Sequence, residues 1–392
     1  MNMMTNSPRS DYDAIIIGAR CAGAATALNL ARQGARVLMV DRETELHDTL
    51  STHALMRPAV TLLGKWGVLS ELVENGTPPV TRALFHYGSE VHDIPIKPSA
   101  TAAALMAPRR WLLDRVLRDA AVRSGAELRL GIRFEGIVRN ATGRVVGTRL
   151  IDRTGKVETI SAGIVIGADG RNSTVADAVG SRTLASSKFT SANLYAYVDG
   201  VPNEGYRWYY DLGIAAGLIP TTNSAHCFFV GCKPEEFHRR FGRNSFATAM
   251  EVLSTWEPDL AVDIAARGPN ERPRRFLGQN GFIRDSTGRG WALVGDAGYF
   301  KDPLTAHGIT DAFLDSHRLA QAFARNPSDV GEYQDERDHF AHRLFEITED
   351  IASLNWDLEM LKLLHIELNG CMKAEGESLK VGELAGAVIS AA

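Results

Sequence analysis

The chain has 392 residues, 45% of them hydrophobic and 23% charged, with a formal net charge of −4. That length allows a large core and more than one domain-like unit. The acidic balance gives nucleic-acid binding no electrostatic support, and no window approaches the roughly 18 consecutive apolar residues of a membrane span.

Residues 1–10 are polar, without a basic start and apolar core, and read as a short disordered lead. Tyr12–Ile17 (YDAIII) then runs apolar into Gly18, as a strand buried on both faces of a parallel sheet does. Ala24–Arg32 has helical spacing and Ala-rich propensity, Gly34 closes it, and Arg36–Val40 is a second buried strand ending at Asp41. Trp111–Arg123 predicts a helix, with Asp114 and Arg118 spaced for an i,i+4 pair. Short strands are expected within Leu128–Leu150 and over Lys156–Ile160, with a separate buried strand at Ile164–Ile166. From Ser186 to Leu277 the texture becomes β-rich and aromatic, and predicts an antiparallel second layer. Trp291–Val294 returns to a buried strand, a long helix is expected over Gly308–Arg325, and Val330–Leu368 is mostly helical in pattern. The fold class is therefore α/β: a Rossmann-like fold, an antiparallel second sheet and C-terminal helices. The expected divisions are 11–185 plus 278–328, 186–277 and 329–392.

Cys21, Cys227, Cys232 and Cys371 form no zinc pattern and no C-x-x-C pair, and no metal site is expected. They read as reduced thiols of a cytoplasmic protein, with a Cys227/Cys232 redox pair as the alternative.

Two motifs carry chemistry. Gly18-Ala19-Arg20-Cys21-Ala22-Gly23 lies between the first strand and the first helix. Its first glycine makes the tight turn, its last permits close helix–strand packing, and the helix N-terminus faces an anion. Arg20 stands where the second glycine belongs, so its side chain must point away from the phosphates or around them. Asp41 is placed to accept hydrogen bonds from a ribose. The second motif is Gly295-Asp296-Ala297, followed by Pro303 and Gly308-Ile309. Asp296 can hold a polyol hydroxyl or serve as an N-cap. Amides near Gly308 can face the pyrimidine edge of a flavin, where a helix N-terminus favours the charge of the reduced ring.

With both motifs in hand, and Gly167-Ala168-Asp169-Gly170 with Ser173 between them, the chain resembles the para-hydroxybenzoate-hydroxylase-type flavoproteins over about Asp11–Arg325. Within that superfamily it is most similar to a geranylgeranyl-reductase-like set, through GARCAG, Asp48-Thr49-Leu50-Ser51-Thr52-His53 and GDAGYFKDPLTAHGITDAF. The resemblance implies an FAD/NAD(P)-binding Rossmann-like fold over 11–185 plus 278–328, a substrate domain over 186–277 and a C-terminal helical segment over 329–392, with FAD held by Gly18, Ala22, Gly23, Asp41, Arg42, Arg110, Asp169, Gly170, Gly295, Asp296, Pro303, Gly308 and Ile309. The departures are equally specific. Ala306 replaces the first glycine of P-x-x-G-x-G, the halogenase W-x-W-x-I-P is absent, and Tyr206-x-Trp208 lacks the Phe-Pro of isoprenoid reductases.

The implied activity is oxygenation of a small aromatic or other electron-rich substrate, using NAD(P)H and O2 through a flavin hydroperoxide. The alternatives are reduction of an apolar double bond and a flavin-binding module without turnover. No second Gly-rich nucleotide fold is visible, so NAD(P)H binds transiently on the same body or a separate flavin reductase supplies electrons. On the substrate side, His53 is a candidate acid/base group or a hydrogen-bonded residue of a helix start. His307 is expected either to contact the flavin or to cap. Tyr195, Tyr197, Trp208, Tyr209, Tyr210 and Phe228 are candidates for a pocket lining or for sheet core.

Overall fold

The structure is a computed structural model describing residues 10–99, 102–242 and 245–389. The expected lead, save Ser10, lies outside them. Strand β1 (Tyr12–Ile17) has parallel neighbours on both edges, which is why its last four residues are apolar and buried. Helix α1 (Cys21–Arg32) starts three residues before the Ala24 run, because Cys21, Ala22 and Gly23 are small enough to continue the buried face to the turn. After β2 (Val37–Asp41) come α2 (Arg57–Lys65) and α3 (Leu69–Glu74), then a hairpin of β3 (Arg82–Tyr87) and β4 (Glu90–Pro95). Helix α4 (Arg110–Arg123) leads into β5 (Glu127–Leu130) and the β6 (Arg133–Arg139)/β7 (Val145–Ile151) hairpin.

Where two strands were expected, one runs through: β8 (Val157–Gly167). Its first half pairs antiparallel with β7 and its second half parallel with β1. The join at Gly163 needs glycine, since a Cβ there would lie 2.9 Å from the Asp13 carbonyl oxygen. Helix α5 (Thr174–Val179) and β9 (Thr183–Ser186) precede the second layer, which contains β10 (Ala192–Val198), β11 (Tyr206–Asp211), β12 (Ile214–Pro220) and β13 (His226–Cys232). Three helices follow within the segment read as β-rich: α6 (Pro234–Arg240), α7 (Ser245–Leu253) and α8 (Pro258–Arg267). The chain then forms β14 (Arg274–Phe276), β15 (Phe282–Arg284), β16 (Thr287–Gly288), β17 (Trp291–Leu293) and β18 (Tyr299–Phe300). It ends in α9 (Gly308–Arg325), α10 (Gly331–Ala352) and α11 (Leu358–Ile389).

One sheet has the order β16-β17-β8-β1-β2-β5, extended by β7 and β6 from β8; the second has the order β14-β10-β13-β12-β11-β3-β4. The second sheet is not wholly antiparallel. It recruits the β3/β4 hairpin from well upstream, and β3 joins β11 in parallel. Its two faces are distinct. Tyr195, Tyr197, Trp208, Tyr210, Cys227 and Phe229 pack in the cluster that also holds α1, α4 and α9. Tyr209, Phe228, Val230 and Cys232 pack beneath α6–α8. Cys227 and Cys232 therefore lie on opposite faces and are free thiols, which removes the redox pair.

Candidate flavin site

The two sequence motifs meet. Gly18 has φ +100°, and a Cβ on it would lie 2.4 Å from the Ala168 carbonyl oxygen; one on Gly23 would lie 1.8 Å from that of Gly18. The turn is thus closed by backbone against backbone. A Cβ on Gly295 would lie 3.0 Å from the Ala22 methyl, so the second motif abuts the first turn of α1. That turn has no side-chain cap and no acidic residue, leaving its orphan amides for an anion. Burial pushes the Cys21 thiol up to about 11, so it meets that anion as a neutral group. Arg20 solves its own problem by pointing around the turn, donating to the His47 carbonyl (3.2 Å) with Asp114 at 3.7 Å.

Asp41 is more occupied than the sequence implies. It accepts from the Ala19 amide (2.9 Å), the Glu43 amide (3.0 Å) and Arg118 (2.9 Å), the last a buried guanidinium contributed by α4. Arg118 does not take the i,i+4 pairing with Asp114 that its spacing suggests: Asp114 pairs with Arg110 instead, and Arg118 reaches across to Asp41. Arg42 points outward, pairs with Glu43 at 3.2 Å and lines an open hollow of about 540 Å³ with Arg133 and Arg153.

At the centre, Arg110 bonds Asp114 (3.1 and 3.2 Å) and the Thr49 hydroxyl (3.1 Å). Burial opposes its charge, but Asp114, together with Cys21 and Asp296, more than offsets burial and raises its pKa above the ordinary guanidinium value. Asp296 stands in the same electrostatic neighbourhood. Burial, only partly offset by Arg110, raises its carboxyl to about 6. A Cβ on exposed Gly308 would lie 3.9 Å from its Oδ1. Asp296 caps no helix through a side-chain bond, and a desolvated carboxylate beside an arginine and an open helix start suits a polyol hydroxyl. Ile309 is buried and Pro303 half-buried on the same loop. Ala306 adopts φ +51°, the conformation the missing glycine would have supplied.

Four expected site residues need correction. Asp169 turns into the start of α5, accepting from the Ser173 hydroxyl (2.5 Å), the Thr174 amide (2.8 Å) and hydroxyl (3.0 Å), and the Val175 amide (3.2 Å). It is a helix cap, and only Gly170, at φ +82°, keeps an open flank. Tyr209 and Phe228 face α6–α8; Phe229, the neighbour of Phe228, packs instead in the cluster shared with α1, α4 and α9, because strand side chains alternate. His307 neither caps nor reaches outward. Its ring is buried, with Nδ1 2.8 Å from Asp311 and Nε2 3.3 Å from Glu375.

His53 fares differently. It takes φ +63°, rare for a non-glycine residue, which turns its ring onto the sheet. Nε2 hydrogen-bonds the Tyr197 hydroxyl and the rings stack at 5.6 Å. Burial, reinforced by the Arg109, Arg110 and Arg274 charges, lowers its pKa to about 3, so the imidazole is neutral. Its buried Nδ1 has no hydrogen-bond partner among the described residues. The loop is fastened from below: Asp48 pairs with Arg109 and accepts from the Trp111 amide (3.2 Å), and the Ser51 hydroxyl accepts from the His53 amide (2.9 Å). Arg109, absent from the sequence expectations, also lies 3.4 Å from the Tyr197 ring centroid. Around them Tyr195, Trp208 and Phe229 form offset and edge-on aromatic pairs.

The family described as FAD binding domain matches residues 11–348. The chain belongs to this family. It is an FAD-dependent oxidoreductase. It is 26% identical over 341 residues to a menaquinone reductase of Mycolicibacterium smegmatis, covering 79% of this chain and 75% of the relative. It is 27% identical over 337 residues to a digeranylgeranylglycerophospholipid reductase of Methanocella arvoryzae, covering 80% and 77%. The solved structure of PqsL, a probable FAD-dependent monooxygenase from Pseudomonas aeruginosa, matches with TM-score 0.76 at 20% identity over 90% of this chain and 99% of that one. Aklavinone-11 hydroxylase in complex with FAD and aklavinone matches with TM-score 0.72 at 21% identity, over 90% and 71%. These structural likenesses are likenesses of fold. Among the described residues no helix is long and apolar enough to cross a membrane.

Proposed function

We propose that this flavoprotein is a monooxygenase that oxygenates a small, electron-rich aromatic substrate with NAD(P)H and O2. The observation carrying this reading is the polar corner set into an aromatic face: neutral His53, with Nδ1 unpaired, beside the Tyr197 hydroxyl and Arg109. Such a corner can orient a flat substrate through its polar group while Tyr195, Trp208 and Phe229 hold its rings. A polyprenyl chain gives it nothing to bond. On this reading the α1 turn binds the pyrophosphate, Arg110 and Asp296 hold the ribityl region, and the flavin ring lies at the N-terminus of α9.

Bound FAD would supply the redox chemistry, accepting hydride from NAD(P)H and activating oxygen. The protein's share is placement and electrostatics. His53, uncharged throughout the physiological range, acts as a hydrogen-bond partner that fixes substrate orientation. It is too weak a base to remove a phenolic proton unaided. The uncapped start of α9 favours negative charge on the adjoining ring. NAD(P)H binds transiently, or a separate reductase delivers electrons.

A second reading, reduction of an isoprenoid double bond, is favoured by the activities of the menaquinone and digeranylgeranylglycerophospholipid reductases. Oxygen consumption coupled to NAD(P)H oxidation, measured across phenols and prenyl lipids, separates the two. Substrate-stimulated oxygen uptake with incorporation of labelled oxygen into a phenol is expected. Anaerobic turnover of a prenyl lipid, with no phenol stimulating uptake, would overturn oxygenation.

A further inference from the structure

Behind the loop that ends at Gly308 lies a buried cluster assembled from three parts of the chain. Lys301 comes from the loop, His307 and Asp311 from the start of α9, and Glu375 from the middle of α11; each is at most 6% exposed. Asp311 answers two partners, Lys301 through Oδ2 and His307 Nδ1 through Oδ1. Burial alone would raise its carboxyl, but Lys301 and His307 reverse the direction and bring it to about 2. Asp311 is therefore an acceptor on both oxygens, which fixes the hydrogen of His307 on Nδ1.

The consequence falls on Nε2. It faces Glu375 Oε2 at 3.3 Å, and among the described residues neither of these buried atoms makes a hydrogen bond. Burial raises the Glu375 carboxyl. A close contact between an imidazole nitrogen and a carboxyl oxygen holds when one proton lies between them, on Oε2 or on Nε2. Other charges bear on the pair. Lys301 and Arg318 bear on it as positive charges and Asp311 as a negative one, and Asp311 in turn interacts with Asp296.

We propose that Glu375 is a positioning residue for flavin reduction: the proton it shares with His307 sets the charge behind the N-terminus of α9 and thereby the flavin's reduction potential. Negative charge arriving on that face draws the proton from Oε2 to Nε2. The positive centre then stands nearer the ring and the negative one farther back on α11. No proton enters or leaves, so the buried cluster keeps its net charge. The inference rests on the seating of the ring at α9 given above.

The test is the reduction potential of the FAD-loaded enzyme, read by spectroelectrochemistry in Glu375→Gln and Glu375→Asp. The glutamine keeps the shape but has no proton to pass. Its reduced-to-oxidised flavin ratio should fall at least tenfold at fixed external potential, about 30 mV for two electrons. The aspartate keeps an acid and should recover part of the loss. A merely structural role would lower melting temperature and FAD retention in both variants while leaving the potential alone. A ratio within twofold of wild type in the glutamine variant overturns the proposal. If that variant loses its flavin, an unchanged potential in Glu375→Asp with weakened melting overturns it equally. Asp296→Ala, run alongside, separates the two ideas. FAD retained there at wild-type affinity refutes the seating of the cofactor, whereas FAD lost there with an unchanged Glu375→Gln potential refutes the role of Glu375 alone.

Discussion

Replacing Asp41 by alanine tests whether the carboxylate at the end of β2 serves the ligand or the fold. The sequence alone points to the ligand, with FAD loosened by about 1–3 kcal/mol, the order of one charge-assisted hydrogen bond. The structure points to a larger effect without FAD. Asp41→Ala strands Arg118, which is 4% exposed, and removes the acceptor of the Ala19 and Glu43 amides. Breaking one side of a buried ion pair costs about 3–5 kcal/mol. At about 2 °C per kcal/mol for a chain of this size, the apo protein should melt roughly 6–10 °C lower. Asp41→Ala with Arg118→Met should recover part of that loss, since the stranded charge is gone. The assay is thermal unfolding of flavin-stripped protein followed by near-ultraviolet circular dichroism. A melting temperature within 2 °C of wild type, with FAD affinity reduced tenfold or more, would refute the structural assignment.

Three other outcomes are expected. Because the Asp296 carboxyl titrates near 6 and only its anion is a full acceptor, FAD affinity should weaken as pH falls from 7 to 5; Asp296→Asn should be weak and pH-flat, and equal pH slopes in the two proteins would exclude a hydroxyl at Asp296. His53→Ala and Tyr197→Phe should each lower turnover at least tenfold with FAD content within about 20% of wild type, as estimated from the loss of one orienting hydrogen bond; full turnover of the true substrate in either removes that residue from the site. His53, His226 and His365 have folded pKa values lowered to about 3, 4 and 4 by burial. The unfolded chain therefore binds protons first, and stability present above pH 6.5 should fall towards pH 4 by up to about 1.4 kcal/mol per pH unit per histidine. Urea midpoints that do not decline between pH 7 and 5 would contradict this.

The parts of the fold legible in sequence are those where local pattern and tertiary role agree. β1 is apolar because neighbours flank both edges, and the chain must turn at Gly18. β8 was harder, because Thr159, Ser161 and Gly163 interrupt its hydrophobic run where it changes partners from β7 to β1. Helices α6 and α8 did carry signals. Each has proline in its first turn, acidic residues behind it and basic residues at its end, but the aromatic strands around them dominated the reading. The parallel union of β3 with β11 joins segments more than a hundred residues apart, and no local pattern encodes such a pairing. Face assignment fails by a single residue: Phe228 and Phe229 are alike in type and opposite in direction.

The site was legible as positions rather than as directions. A carboxylate at a strand end is equally suited to a ribose hydroxyl and to the amides of the next turn, and the three such residues divide between these roles. Asp169 is consumed by α5, because Ser173 and Thr174 bring donors to both its oxygens. Asp41 is consumed largely by Arg118, a residue of α4 with no place in any motif. Asp296 meets neither fate. The residues that follow it, Ala297 and Gly298, offer no side-chain donor, and the next helix begins beyond the Pro303 turn with an exposed glycine. On the proposed reading, what leaves Asp296 for a ligand is the lack of local donors, which the flanking sequence does encode. The same test separates the histidines. His307 has Asp311 one helical turn ahead to claim its ring, whereas His53, held in a left-handed turn, bonds Tyr197 through one nitrogen, and the other, without a hydrogen-bond partner among the described residues, is the one the proposed reading gives to the substrate.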